Sequence, residues 1–147
     1  MLYFEDLTPG RVFELGSVSP TADEIVEFAT RFDPQPFHTD PQAARASHFG
    51  GLIASGWHTC AMFMWLLVEG MVADAASMGS PGMDEVRWLA PVRPDDVLTG
   101  TFVIVDAVPS RSKPDRGVIR SECRMTNQDG VTVLTMKGMG MYGRRPV

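Results

Sequence analysis

The hydrophobic pattern along the chain runs from an amphipathic helix, through a helix apolar on nearly every side, to a series of strands. Thr21-Ala22-Asp23-Glu24 opens the first helix, with Thr21 placed to cap the backbone and Glu24 to reach back as a capping box. Ile25, Phe28, Ala29 and Phe32 then fall at i, i+3, i+4 and i+7, one face of a helix. Pro34 ends it and leaves Asp33 at its C-terminal edge. Asp40, followed by Pro41, starts a second short helix, and Gly50-Gly51 breaks the chain again. From residue 55 to about 75 the apolar positions no longer keep to one face: Trp57, Cys60, Met62, Phe63, Met64 and Trp65 run almost without interruption to Val68. A helix with no polar face is expected to be buried on several sides.

Strand character follows over 85–89, 97–108, 117–126 and 131–142, with Asp129-Gly130 as the turn between the last two. Residues 1–19 read as turn and short strand. This order predicts an α+β protein, an antiparallel meander wrapped around a long buried central helix. Nothing in the composition divides the chain, so residues 1–147 are read as a single domain.

Composition narrows the function. A net charge of −5 argues against nucleic acid as a partner, since such proteins show a basic face. The apolar run 60–68 is far short of the roughly 18 residues of a membrane span. The first residues lack the basic and apolar regions of a signal peptide, and Cys60 and Cys123 both sit in apolar surroundings; a cytoplasmic protein with reduced thiols is expected. The long apolar helix and the two-sided apolar strand 131–142 exceed what one small sheet hides, so a homodimer or higher homo-oligomer is expected.

The candidate chemistry lies between residues 32 and 41. Asp33 and His38 are separated by Pro34 and Pro36, each of which pushes the residue before it out of the α region. The segment therefore reads as a stiff, extended loop holding a carboxylate and an imidazole, groups that exchange protons with water or substrate near neutral pH. Fully extended, five steps separate them by roughly 15 Å, so the loop must turn for them to meet. A surface Asp and His in a proline-rich turn is the plainer alternative. A second feature is Ser55-Gly56, where the long helix begins and its first N–H groups lack intrahelical partners. A simple cap at Ser55, with Gly56 allowing close packing, accounts for the same residues. His38, His48 and His58 lack the spacing of metal ligands, and no metal site is expected. His48 reads as a loop residue, and His58 as packed, hydrogen-bonded or lining the pocket.

These residues carry a family resemblance. Asp33, Pro36 and His38, then Ala43-Ala44, then Leu52-Ile53-Ala54-Ser55-Gly56 resemble the MaoC-like (R)-specific enoyl-CoA hydratase/dehydratase family. The stretch from Val86 to Asp96, with Pro91 and Pro94, resembles the strand and turn that follow the central helix in these hot-dog proteins. Departures are Gln35 in place of the usual Asn, Phe32 where many members have Gly, and Asp95 in place of Gly before Asp96. The resemblance implies a hot-dog fold and addition of water to a 2-enoyl thioester, carried by CoA or acyl carrier protein. It implies (R) stereochemistry, Asp33 and His38 as catalytic residues, and the Gly56 amide as the donor to the thioester oxygen. Coenzyme A enters as part of the substrate, with no other cofactor. Ser55, Trp57 and Phe37 are placed as substrate-binding residues, and Arg87 and Arg93 as candidates for the CoA phosphates. Two rival readings stand beside this one. A hot-dog thioesterase would use Glu69, the lone carboxylate of the apolar helix. A non-catalytic acyl-thioester binding subunit would fit the Gln35 and Phe32 departures.

Overall fold

The computed structural model describes residues 1–147. A 3-10 turn at Phe4–Asp6 precedes strand β1 (Val12–Val18) and helix α1 (Ala22–Phe32). Two short helices, α2 (Pro36–Thr39) and α3 (Pro41–Ala46), lead to the long helix α4 (Gly56–Gly70). Four strands complete the chain: β2 (Gly82–Trp88), β3 (Leu98–Pro109), β4 (Arg116–Thr126) and β5 (Thr132–Gly143). The strands form one antiparallel sheet in the order β1-β3-β4-β5-β2, with α4 against it. This is the α+β hot-dog arrangement.

The pairing differs from the expected meander at one strand. β3, β4 and β5 do follow one another, but β2 crosses to the far edge and pairs with β5. Periodicity locates strands; it does not say which neighbour each one takes. The crossing segment between β2 and β3 is held by Asp96, whose Oδ2 accepts the Arg93 N–H at 2.8 Å and whose Oδ1 accepts the Gln128 amide at 2.9 Å. Asp95, beside it, is the one non-glycine residue with positive φ, at 68°. Asp tolerates that left-handed conformation better than most side chains.

α4 presses Met62, Phe63, Leu66 and Leu67 into a cluster of 23 buried residues. Gly100 on β3 permits the approach, since the Phe63 ring lies 3.2 Å from where a Cβ would stand. Burial on several sides, however, is not what α4 shows. Trp57, Met64 and Trp65 are 59%, 48% and 56% exposed, because the sheet covers only the opposite face. Phe32 also departs from its expected buried face: it is 63% exposed at the last position of α1, resting against Phe28. Ile25 and Ala29 alone make the fully buried seam of that helix.

The capping box forms as its sequence implies. Glu24 N–H donates to the Thr21 hydroxyl at 3.1 Å, and Thr21 N–H donates to Glu24 at 3.0 Å. Replacing Thr21 by Ala removes one of these acceptors and should lower unfolding free energy by about 1 kcal/mol. Urea denaturation checks this; an unchanged midpoint would show that the exposed cap contributes nothing.

Candidate active site

Asp33 is the C-cap of α1, at φ −154° and ψ 69°, where Pro34 prevents the helix from continuing. Gln35 is extended, as a residue before proline should be. The segment beyond it is not the extended loop that the two prolines suggest. Pro36 takes the first position of α2, where a missing N–H costs nothing, and starts a single helical turn. That turn carries His38 back to Asp33, with Nε2 3.3 Å from Oδ2.

His38 is 4% exposed, and its Nδ1 lies 2.8 Å from the carbonyl of Ile53. A carbonyl can only accept, so Nδ1 carries a hydrogen and Nε2 is the atom left for chemistry. Asp33 has three neighbours. Ser55 donates its hydroxyl to Oδ2 at 2.7 Å, and the Gln35 amide donates to Oδ1 at 2.7 Å. Burial acts to raise the Asp33 carboxyl, but these two bonds and the charge of His38 outweigh it and hold it below its ordinary value.

Ser55 stands at the N-cap of α4 yet makes no capping bond. Its hydroxyl is turned to Asp33, and the side chain is wholly buried outside the cleft lining. It is thus a support for the carboxylate and not the substrate contact expected of it. Gly56 follows as the first residue of α4, where its N–H has no intrahelical partner and stands at the positive end of the helix dipole. Trp88, at the end of β2, closes over this point. Its indole N–H donates to the Gly56 carbonyl at 2.8 Å, and its ring fills the place a Gly56 Cβ would take. Only glycine fits there.

Asp33, His38 and Gly56 share one open cleft of about 440 Å³, lined also by Phe37, Trp57 and Trp88. Phe37 packs edge-on to His38 at 4.6 Å, and Trp57 meets Trp88 edge-on at 5.0 Å. Behind the cleft, Arg93 donates to the carbonyls of Gly51 and Phe49, so its guanidinium braces two loops and is not free for a phosphate. Arg87 pairs with Glu85 at 2.6 Å. His48 is an exposed loop residue. His58 stacks flat on Phe28 at 4.6 Å and lies outside the cleft lining; its buried Nδ1 has no partner. Burial lowers its pKa against the raising effect of Glu24. Glu69 is exposed near the far end of α4, about 20 Å along the axis from Gly56. It cannot serve this cleft, and the thioesterase reading loses its carboxylate. Burial pushes the Cys123 thiol up to about 12, although Ser121 acts the other way, so it is no nucleophile at neutral pH. Gln35 and Trp88 support the site without having been expected to. Gln35 had a local signal, two residues past Asp33; Trp88 had none, being brought to Gly56 only by the fold.

Comparison with known proteins bears on the fold and the family. Residues 6–123 match the family model described as MaoC like domain. The chain is 34% identical over 130 residues to the uncharacterized protein YdeM of Bacillus subtilis, covering 88% of this chain and 90% of that one. A crystal structure of a MaoC-like dehydratase from Rhodospirillum rubrum superposes with a TM-score of 0.89 at 39% identity, over the whole of both chains. The (R)-hydratase from A. caviae shares the fold at 23% identity and a TM-score of 0.75, over 97% of this chain and 99% of that one. The chain belongs to the MaoC-like dehydratase family, a family of hydratases and dehydratases.

The depressed pKa of Asp33 has a consequence for stability. A carboxyl whose folded value lies below its unfolded value of about 3.9 stabilises the fold above that pH, and the contribution is lost as pH falls through the folded value. The difference in urea midpoint between wild type and Asp33→Asn should be full at neutral pH and narrow below about pH 4. A difference that stays constant to pH 2 would show that the ionised carboxylate is not the form the fold favours.

Proposed function

We propose that the protein adds water to the double bond of a 2-enoyl thioester, and in reverse removes water from the 3-hydroxyacyl thioester. The observation that carries this reading is the Asp33–His38 contact at 3.3 Å in the same cleft as the uncapped start of α4. Asp33 Oδ2 takes a proton from water as the hydroxyl oxygen bonds to C3. His38 Nε2 delivers a proton to C2. The thioester oxygen, negative as the double bond shifts, is held by the Gly56 N–H at the positive helix end. Transfer of the proton from Oδ2 to Nε2 then restores the pair. The thioester carbonyl itself acidifies C2, so these steps ask for no redox chemistry. Phe37 and Trp57 give the acyl chain an apolar wall. CoA is the preferred carrier, with acyl carrier protein as the second.

A homodimer belongs to this reading. The stripe of Trp57, Met64 and Trp65 begins at the mouth of the cleft, and a second copy laid on it would shield both. Sedimentation at micromolar concentration should give the mass of at least two 16.1 kDa chains. A monomer would remove the cover that the stripe requires.

Crotonyl-CoA tests the chemistry when the enoyl absorbance and free thiol are followed together. Loss of the enoyl signal without thiol is expected. Thiol release would mean a thioesterase, and neither signal a binding subunit or a different acyl chain. Asp33→Asn and His38→Ala should each reduce turnover by about a hundredfold or more, the usual worth of a positioned acid or base. Either variant within tenfold of wild type would remove that residue from the mechanism.

A further inference from the structure

Asp33 has two oxygens, and hydration uses one of them. The terminal torsion of an Asp side chain is broad, so a carboxylate held at one oxygen can tilt or exchange the two. In this cleft Oδ2 receives the Ser55 hydroxyl and faces His38 Nε2, while Oδ1 receives the Gln35 amide at 2.7 Å. The main chain of Gln35 is tied to both members of the pair. Its N–H donates to the Asp33 carbonyl at 2.8 Å, and its own carbonyl accepts the His38 N–H at 2.9 Å. The hydroxyl of Thr39 donates to the same carbonyl at 3.2 Å. One residue thus spans the catalytic pair through its backbone and grips the carboxylate through its side chain.

We infer that Gln35 is a positioning residue that occupies Oδ1 of Asp33 and so keeps Oδ2 aimed at His38 Nε2 and the reacting water. The inference rests on the hydration reading for its kinetic effect, and on geometry alone for the clamp. His38, from α2, is the titratable group set against the carboxylate; α4 contributes the neutral hydroxyl of Ser55. Removing the amide frees the carboxylate torsion and withdraws a donor from its ionised form. Both effects act on the transition state more than on substrate binding, since the amide holds Asp33 and not the thioester.

The test uses Gln35→Ala and Gln35→Glu, the second nearly isosteric but with an anion in place of the donor. Gln35 is exposed and lies outside the core, so both should still fold, with the thermal midpoint lowered only by the share of the carboxylate's stabilisation that the amide supplies. Turnover of crotonyl-CoA should fall about tenfold in Gln35→Ala and further in Gln35→Glu, with KM changed less than twofold, as expected for a lost bond to a charged group. The acid limb of the kcat/KM profile should move to higher pH, because the ionised form has lost a donor. A parallel measurement needs no substrate: the Asp33 carboxyl carbon, assigned by NMR against Asp33→Asn, should titrate at higher pH in both variants. An unmoved carboxyl titration overturns the inference whatever the kinetics show. A moved titration in a protein that hydrates no enoyl thioester leaves the clamp standing and overturns the hydration reading instead. A moved titration with turnover within twofold of wild type overturns the positioning role.

Discussion

The orientation of one hydroxyl decides much of this structure. Ser55 stands where a helix N-cap normally turns its oxygen to the first free amides. Its oxygen instead faces Asp33, at the end of a different helix and twenty-two positions earlier in the chain. That bond joins the C-cap of α1 to the N-cap of α4, so the carboxylate and the open helix terminus come to the same place. It also leaves the first N–H groups of α4 without a side-chain cap. A capped α4 would be a better helix, with one fewer free amide at its start. The forgone cap is worth about 1 kcal/mol, little against what packing against the sheet returns.

The rest of the fold keeps this junction in register. Trp88 fixes the Gly56 peptide from the sheet side, and Val92 accepts the Ala54 N–H at 2.9 Å on the approach to the helix. Ile53 N–H donates to the Phe37 carbonyl at 3.2 Å, and the Ile53 carbonyl takes the His38 ring. The segment 52–55 is therefore bonded on one side to the loop after β2 and on the other to α2. Arg93 ties that loop back to residues 49 and 51. A positive charge spent on carbonyls inside the scaffold is a strong brace, because charge-assisted bonds are worth roughly twice neutral ones.

Most of what is legible in the chain is local. The capping box at Thr21, the stop at Pro34 and the cap at Asp40 all involve partners within three residues, and all form. The strands begin and end within a few residues of their periodic patterns, since alternation is a property of each strand alone. The placement of β2 beside β5 is not legible, because it depends on which edge remains free after the meander closes. The exposed face of α4 escapes the pattern for a related reason: an apolar side chain looks the same whether its cover comes from this chain or from another. Within the site, Asp33 and His38 are visible as residue types, but their meeting is not. Two prolines argue for extension, whereas Pro36 initiates a turn, and the same ring that forbids a helix interior favours a helix start. Ser55 reads as a cap and proves to be a donor to Asp33. No spacing rule connects residue 55 to residue 33.

The carbonyl of Ile53 sets the last condition on the chemistry. By accepting from Nδ1 it fixes which nitrogen of His38 faces Asp33. Nε2 and Oδ2 then stand 3.3 Å apart, with Oδ2 already receiving the Ser55 hydroxyl. Under the proposed hydration, a carboxylate and an imidazole set side by side suit a reaction whose two halves are opposite in sign. Water must lose a proton as C3 is attacked, and C2 must gain one as the enolate collapses. In that proposal the carboxylate and the imidazole pass one proton between them and do both without exchange with bulk solvent. The proposed cycle demands precision: the carboxylate oxygen must keep its aim, and the Ser55 hydroxyl and the Gln35 amide are the donors gathered on Asp33.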